Sequence, residues 1–354
     1  MADIDFLLEA LIELDGSDLH LSEGSQPKVR IHGKLMPLDE PVLDHETMER
    51  YMEGIVSPDR WKAFRASNDL DFAYAIEGQG RFRSNFFRQE HGYGAVFRLI
   101  PSKVLTLDDL KLPDTLRDIG DMRSGLCLVT GPTGSGKSTT MAAIIDYINN
   151  NYARHILTIE EPIEFVHGNK KSIFCQREVG VDVKSFAAGL KAGLRQDLDV
   201  ILVGEMRDRE TIQLAVTAAA TGTLVFGTLH TQSAIKTVNR IVDVFPHDQQ
   251  EQIRGMLADS LKAIVAQLLM RKADESGRVA ALEILLGTPA LSSGIRGNNN
   301  SAITNVIQGG GDQGMIMMDD ALEALLKKRV ITGETAYMKS TDKARFATWA
   351  PIKG

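Results

Sequence analysis

The chain has 354 residues, 43% hydrophobic and 25% charged, which suits a globular protein of two or three domains. Its 40 Lys and Arg against 47 Asp and Glu give a net charge of −7, which argues against an extended nucleic-acid track as partner. No apolar run approaches the roughly 20 residues that span a bilayer, and two cysteines, Cys127 and Cys175, support neither a structural disulfide nor a four-cysteine zinc site. The opening Met1-Ala2-Asp3-Ile4-Asp5-Phe6 lacks a basic segment, so no secretory signal is expected and the cytoplasm is the expected location.

Ile4, Leu7, Leu8, Leu11 and Leu14 share one side of an expected helix over 3–14, ended by Gly16. Val29–Ile31 and Lys34–Met36 flank His32-Gly33 as a hairpin. Leu70, Phe72, Tyr74 and Ile76 alternate with Asp71, Ala73 and Ala75, which predicts a half-buried strand. Phe82 and Phe86 mark the next strand and Ala95–Ile100 another. Residues 1–100 therefore read as a small α+β domain with an antiparallel sheet. Pro101 opens a linker over 101–120, and 121–354 forms the second domain.

In that second part the pattern changes. Strands are expected near 125–130, 156–160, 199–204, 224–229 and 279–286. Helices are expected near 138–150, 185–194, 208–220, 233–242, 248–271 and 317–328. The long 248–271 helix rests on Ile253, Leu257, Leu261, Ile264, Val265, Leu268 and Leu269 at helical spacing. Strands alternating with helices imply an α/β fold with a mostly parallel sheet covered on both faces.

Gly131-Pro132-Thr133-Gly134-Ser135-Gly136-Lys137-Ser138-Thr139 fits the P-loop pattern for nucleoside triphosphates. Glycines let successive N–H groups turn inward toward phosphate oxygens. Lys137 supplies a charge for the outer phosphates and Ser138 a hydroxyl for Mg²⁺. An apolar strand precedes the loop and a helix follows it. The helix N-terminus adds its own attraction for anions. The expected cofactors are ATP and Mg²⁺.

Hydrolysis needs more than a P-loop: a carboxylate to orient water, a metal environment and positive charge for the transition state. Asp199–Gly204 is an apolar strand ending in Glu205, which would sit beside Mg²⁺ or its waters; a helix-capping acid is the alternative. His155–Ile159 leads to Glu160-Glu161-Pro162, and Glu160 is the candidate for polarising the attacking water. Thr223–Leu229 ends beside His230-Thr231, a cluster that suits a γ-phosphate sensor, although a lone histidine is often structural. Arg81 and Arg83 share one strand face and Arg98 lies on the following strand; they read either as a solvated sheet face or as arginine fingers.

Taken together these motifs resemble the PilT-type retraction ATPases of type IV pili, within the secretion ATPase superfamily. The likeness runs through Gly16–Leu21, Gly80–Asn85, the P-loop, the acidic box 155–167, Gln176–Gly180, Leu194–Asp197, Val203–Asp208, the histidine box 221–231, Arg240–Pro246 and the segment around Gly314-Met315. The resemblance implies a PAS-like N-terminal domain, a RecA-like ATPase domain and a homo-hexameric ring. It implies that Arg81, Arg83 and Arg98 contact phosphate, and it leaves Glu160 and Glu205 in the roles read from the strand ends above. It also implies an inner-membrane platform protein of the pilus as partner, so that the chain meets the membrane only through that partner, at its cytoplasmic face.

Three positions depart from the family pattern. Glu161 stands where aspartate is usual, and Thr223 where a first histidine is common. After Pro289-Ala290 the family usually carries an Ala-Ile-Arg-Asn-Leu-Ile-Arg-Glu helix tied to retraction. Here the chain reads Leu291-Ser292-Ser293-Gly294-Ile295-Arg296-Gly297-Asn298-Asn299-Asn300. Each glycine weakens such a helix by roughly 1 kcal/mol relative to alanine.

Overall fold

The structure, a computed structural model, describes residues 2–31, 33–100 and 104–350. The chain divides into two compact units, Met1–Lys103 with Pro162–Val166, and Val104–Glu161 with His167–Gly354.

In the first unit, α1 (Asp5–Glu13) forms where its apolar residues predicted, with Leu7, Leu8 and Leu11 buried. Then come β1 (Asp18–Ser22), β2 (Lys28–Ile31), β3 (Lys34–Pro37), α2 (His45–Glu53), α3 (Pro58–Ser67), β4 (Asp69–Ile76), β5 (Gly80–Gln89) and β6 (Gly92–Ile100). Among the described residues these strands make one antiparallel sheet in the order β3-β2-β1-β6-β5-β4. The expected hairpin pairs Val29 with Met36; His32, at its turn, lies outside the described residues. Two helices absent from the sequence reading, α2 and α3, start at side-chain caps. Asp44 accepts from the Thr47 N–H, and Ser57 accepts from the Arg60 N–H just ahead of Pro58. α1, Trp61 and Phe64 bury one sheet face through Leu19, Phe82, Phe86 and Phe97.

The second unit opens with α4 (Thr115–Asp121) and β7 (Gly125–Thr130), then α5 (Lys137–Asn151), β8 (His155–Glu160), β9 (Ile173–Glu178) and α6 (Phe186–Gly193). There follow β10 (Val200–Val203), α7 (Arg209–Ala220), β11 (Leu224–Leu229), α8 (Ala234–Asp243), α9 (His247–Ser260), β12 (Leu261–Arg271) and β13 (Arg278–Leu286). The chain closes with α10 (Pro289–Arg296), α11 (Asn300–Gly309), α12 (Met318–Lys327) and α13 (Gly333–Lys339). Among the described residues the sheet order is β13-β12-β7-β11-β10-β8-β9. Every pairing is parallel except that of β12 with β13.

Both faces of this sheet are covered, as a mostly parallel sheet requires. Leu126, Leu128, Ile201, Val203 and Val225 pack on one side with α7, α8 and α9. Cys127, Val129, Val200, Leu202 and Phe226 pack on the other with α4 and α5. The fold class read from the sequence is therefore the one observed.

One expected element is wrong. The helix over 248–271 ends at Ser260, and Leu261–Arg271 continues as strand β12, parallel to β7. Ile264 faces one core and Ala263 and Val265 the other. A strand buried on both faces carries no polar alternation, so its apolar run imitates a buried helix. The stretch 291–300 is likewise broken: α10 stops at Arg296 and α11 starts at Asn300 with Asn299 as its cap.

Candidate functional site

β7 is buried along its whole length and delivers the chain to Gly131 at the carboxyl edge of the sheet. Gly131 and Gly136 have φ of +147° and +84°, which a side chain rarely tolerates. Between them the loop turns back so that α5 begins at Lys137. The Lys137 ammonium is buried and donates to the carbonyls of Gly131 (2.9 Å) and Pro132 (3.1 Å). Ser138, in the first turn of α5, is exposed, as are Thr133 and Gly134.

The neighbouring parallel strands end at the same edge. In order from β7 they are β11, β10 and β8, with Leu229 beside Thr130 and Val203 beside Ile159. Their tips carry His230, Glu205 and Glu160. The structure thus brings three candidate residues from separate parts of the sequence to the strand ends beside the phosphate loop, where α/β sheets place ligands.

Glu205 is the most constrained. His230 Nε2 lies 2.8 Å from its Oε1, and Arg207 Nη2 donates to its Oε2 at 2.6 Å. Burial works against its charge, but Arg207 and His230 outweigh that and hold the carboxyl below its ordinary range. Glu205 is not a helix cap: Asp208 caps α7 by accepting from the Thr211 N–H. The loop after β10 is tied to β11, since Thr228 donates to the Gly204 carbonyl and the Met206 N–H donates to the Thr228 carbonyl.

Glu160 is half-buried at the end of β8. Its Oε1 accepts from Thr158 Oγ1 at 2.7 Å and from Gln176 Nε2 at 3.3 Å, and these two donors fix where the carboxylate sits. His230 is half-exposed. Thr231 shares a hydrogen bond of 2.7 Å with Thr237, which reaches Thr130 just ahead of the phosphate loop.

A family model for type II/IV secretion system proteins matches residues 2–341. The chain belongs to that secretion system family. A PilT described as a type IV pilus retraction ATPase, from Pseudomonas aeruginosa, is 48% identical over 338 residues, covering 96% of this chain and 98% of that one. A twitching motility protein of Neisseria gonorrhoeae is also 48% identical, over 310 residues, covering 88% and 83%. A crystal structure of the pilus retraction motor PilT with bound ADP shares a TM-score of 0.90 at 44% identity, covering 98% of each chain. Membership of the secretion family supports nucleotide binding and ATPase activity.

Within this family member, Arg81, Arg83 and Arg98 belong to the first unit. Arg83 stands directly opposite Arg98 across the β5–β6 ladder, on the face away from Phe82 and Phe86. Arg98 Nε donates to Asp18 Oδ1 at 2.8 Å. Both Arg83 and Arg98 are exposed, while Arg81 is half-buried. Sequence reasoning missed Thr158, Gln176 and Arg207, which hold the two carboxylates, and Gln267, which touches the phosphate loop from β12. Arg207 alone left a local signal, an opposite charge two residues from Glu205. Among the described residues no helix is long and apolar enough to cross a membrane.

Proposed function

We propose that this chain hydrolyses ATP to ADP and phosphate as a hexameric motor, and that its work is the retraction of type IV pili. The observation that carries this reading is the convergence of Glu160, Glu205 and His230 on the strand tips next to the Gly131–Thr139 loop. The naming of PilT relatives as retraction ATPases, and the ADP bound in one of them, support it.

The loop's N–H groups and Lys137 grip the phosphates. Glu160, positioned by Thr158 and Gln176, orients water toward the γ-phosphate and takes up its proton. His230 reports on that phosphate through Glu205. Arg81, Arg83 and Arg98 are the proposed source of further positive charge for the transferring group. Ser138 and Glu205 would hold Mg²⁺, which when bound neutralises charge on the outer phosphates. The residues fit such an ion: one exposed hydroxyl and one carboxylate held ionised suit a cation that keeps most of its ligands from phosphate and water. Force would pass to an inner-membrane platform protein at its cytoplasmic face, with no nucleic acid involved.

A strain lacking this protein should become hyperpiliated and stop twitching. Bald cells would instead indicate an assembly motor. The departure of Leu291–Asn300 from the family's usual retraction segment favours a second reading as an accessory paralogue. In that case the gene would fail to restore twitching alone to a strain deprived of every retraction ATPase.

A further inference from the structure

Gln267 lies far from every motif in the sequence, in the segment whose periodicity suggested a helix. As a residue of β12 it is instead set beside β7, where its neighbour Ala266 pairs with Thr130, the last residue before the phosphate loop. The residue is 3% exposed and its amide is hydrogen-bonded at both ends. The Nε2 donates to the Ser135 carbonyl at 2.7 Å, and the Oε1 accepts from Thr140 Oγ1 at 2.8 Å. The Ser135 carbonyl can only accept, so it fixes which end of the amide faces the loop.

The contact extends to two of the loop's three positive-φ glycines. A Cβ on Gly131 would lie 2.3 Å from the Gln267 carbonyl oxygen, and one on Gly136 would lie 2.9 Å from Gln267 Nε2. One residue therefore braces the entry of the loop, its inner turn and the first turn of α5. A loop that must present several N–H groups at once binds phosphate best when that shape exists beforehand, because ordering it on binding costs affinity.

We propose that Gln267 is a positioning residue that holds the phosphate loop in its nucleotide-binding shape, so that nucleoside di- and triphosphates bind a preformed cradle. This rests on the nucleotide reading above and adds a residue to it. The competing view is that Gln267 only satisfies buried polar groups and stabilises the fold. The two differ in what changes: positioning alters nucleotide affinity in protein that is folded, and mere stabilisation alters only the thermal midpoint without nucleotide.

The test is calorimetric titration of ADP with Mg²⁺ into purified full-length wild type, Gln267→Met, Gln267→Glu, Thr140→Val and Lys137→Ala. Steady-state ATP kinetics and melting of each protein without nucleotide accompany it. Gln267→Met fills the same space without either hydrogen bond. It should raise the ADP Kd about 10- to 100-fold, as expected from losing two buried bonds. KM for ATP should rise in step while kcat stays within about threefold, because the bound loop reaches the same shape. Gln267→Glu sets an acceptor against the Ser135 carbonyl, so its affinity should be poor at neutral pH and recover in acid, where a protonated carboxyl can donate again.

Folded Gln267→Met that binds ADP within about twofold of wild type overturns the proposal, as does a fall in kcat at unchanged KM. Should Gln267→Met not fold, Thr140→Val decides by the same criterion, since it removes one of the two bonds at constant shape. Wild type that binds no ADP, or Lys137→Ala that binds it equally well, would sink the nucleotide reading itself. Wild type that binds while the Gln267 and Thr140 variants bind equally well would sink only the positioning role.

Discussion

His230 and Glu205 meet across the tips of adjacent parallel strands, Nε2 to Oε1, at 2.8 Å. With Arg207 on the same carboxylate, Glu205 keeps its charge despite burial. Glu205→Gln should therefore leave ADP affinity nearly unchanged while lowering kcat by about 100-fold, the usual scale for one lost electrostatic contact to a transition state. Single-turnover phosphate release alongside ADP titration separates the two effects.

Arg83 is exposed and faces Arg98 across the ladder, while Arg98 is anchored by Asp18. Removing Arg83 should shift unfolding free energy by less than about 0.5 kcal/mol, as for most surface changes. If Arg83 acts as an arginine finger, Arg83→Ala should still lose about 1,000-fold in kcat. Normal hydrolysis by a normally folded Arg83→Ala protein would return this strand face to a solvated surface.

His167 offers a stability test apart from catalysis. Its ring is buried, stacks on Phe174 at 4.8 Å and stands 3.9 Å from Asp146, which Lys170 already pairs. Burial pushes its pKa down to about 4. Between that value and the ordinary histidine range near 6.5 the unfolded chain binds a proton that the folded chain refuses. Stability should thus fall as pH drops through this window, by on the order of 3 kcal/mol in all. Denaturant titrations at several pH values should show a shallower slope for His167→Gln.

The parts of the fold that could be read from the sequence were local. A strand, a glycine loop and a helix follow one another at Gly125–Asn151, and apolar runs ending in Glu160, Glu205 or His230 announce strand tips without any tertiary knowledge. β12 could not be read this way, because Ile264 and Val265 face opposite cores and nothing along Leu261–Arg271 alternates. α2 and α3 were missed despite the caps at Asp44 and Ser57, since their apolar faces are short. Gln267 escaped notice because its partners, Ser135 and Thr140, lie more than a hundred residues away and only sheet pairing brings them together.

The central claim is that the Gly131–Thr139 loop and the acidic strand tips form one ATP-cleaving centre. Phosphate release from ATP by purified wild type, beside Lys137→Ala and with native mass recorded for both, tests it most directly. The expected result is Mg²⁺-dependent release by a hexamer of wild type and a loss of at least about 100-fold in the variant. Release by Lys137→Ala at the wild-type rate would contradict it.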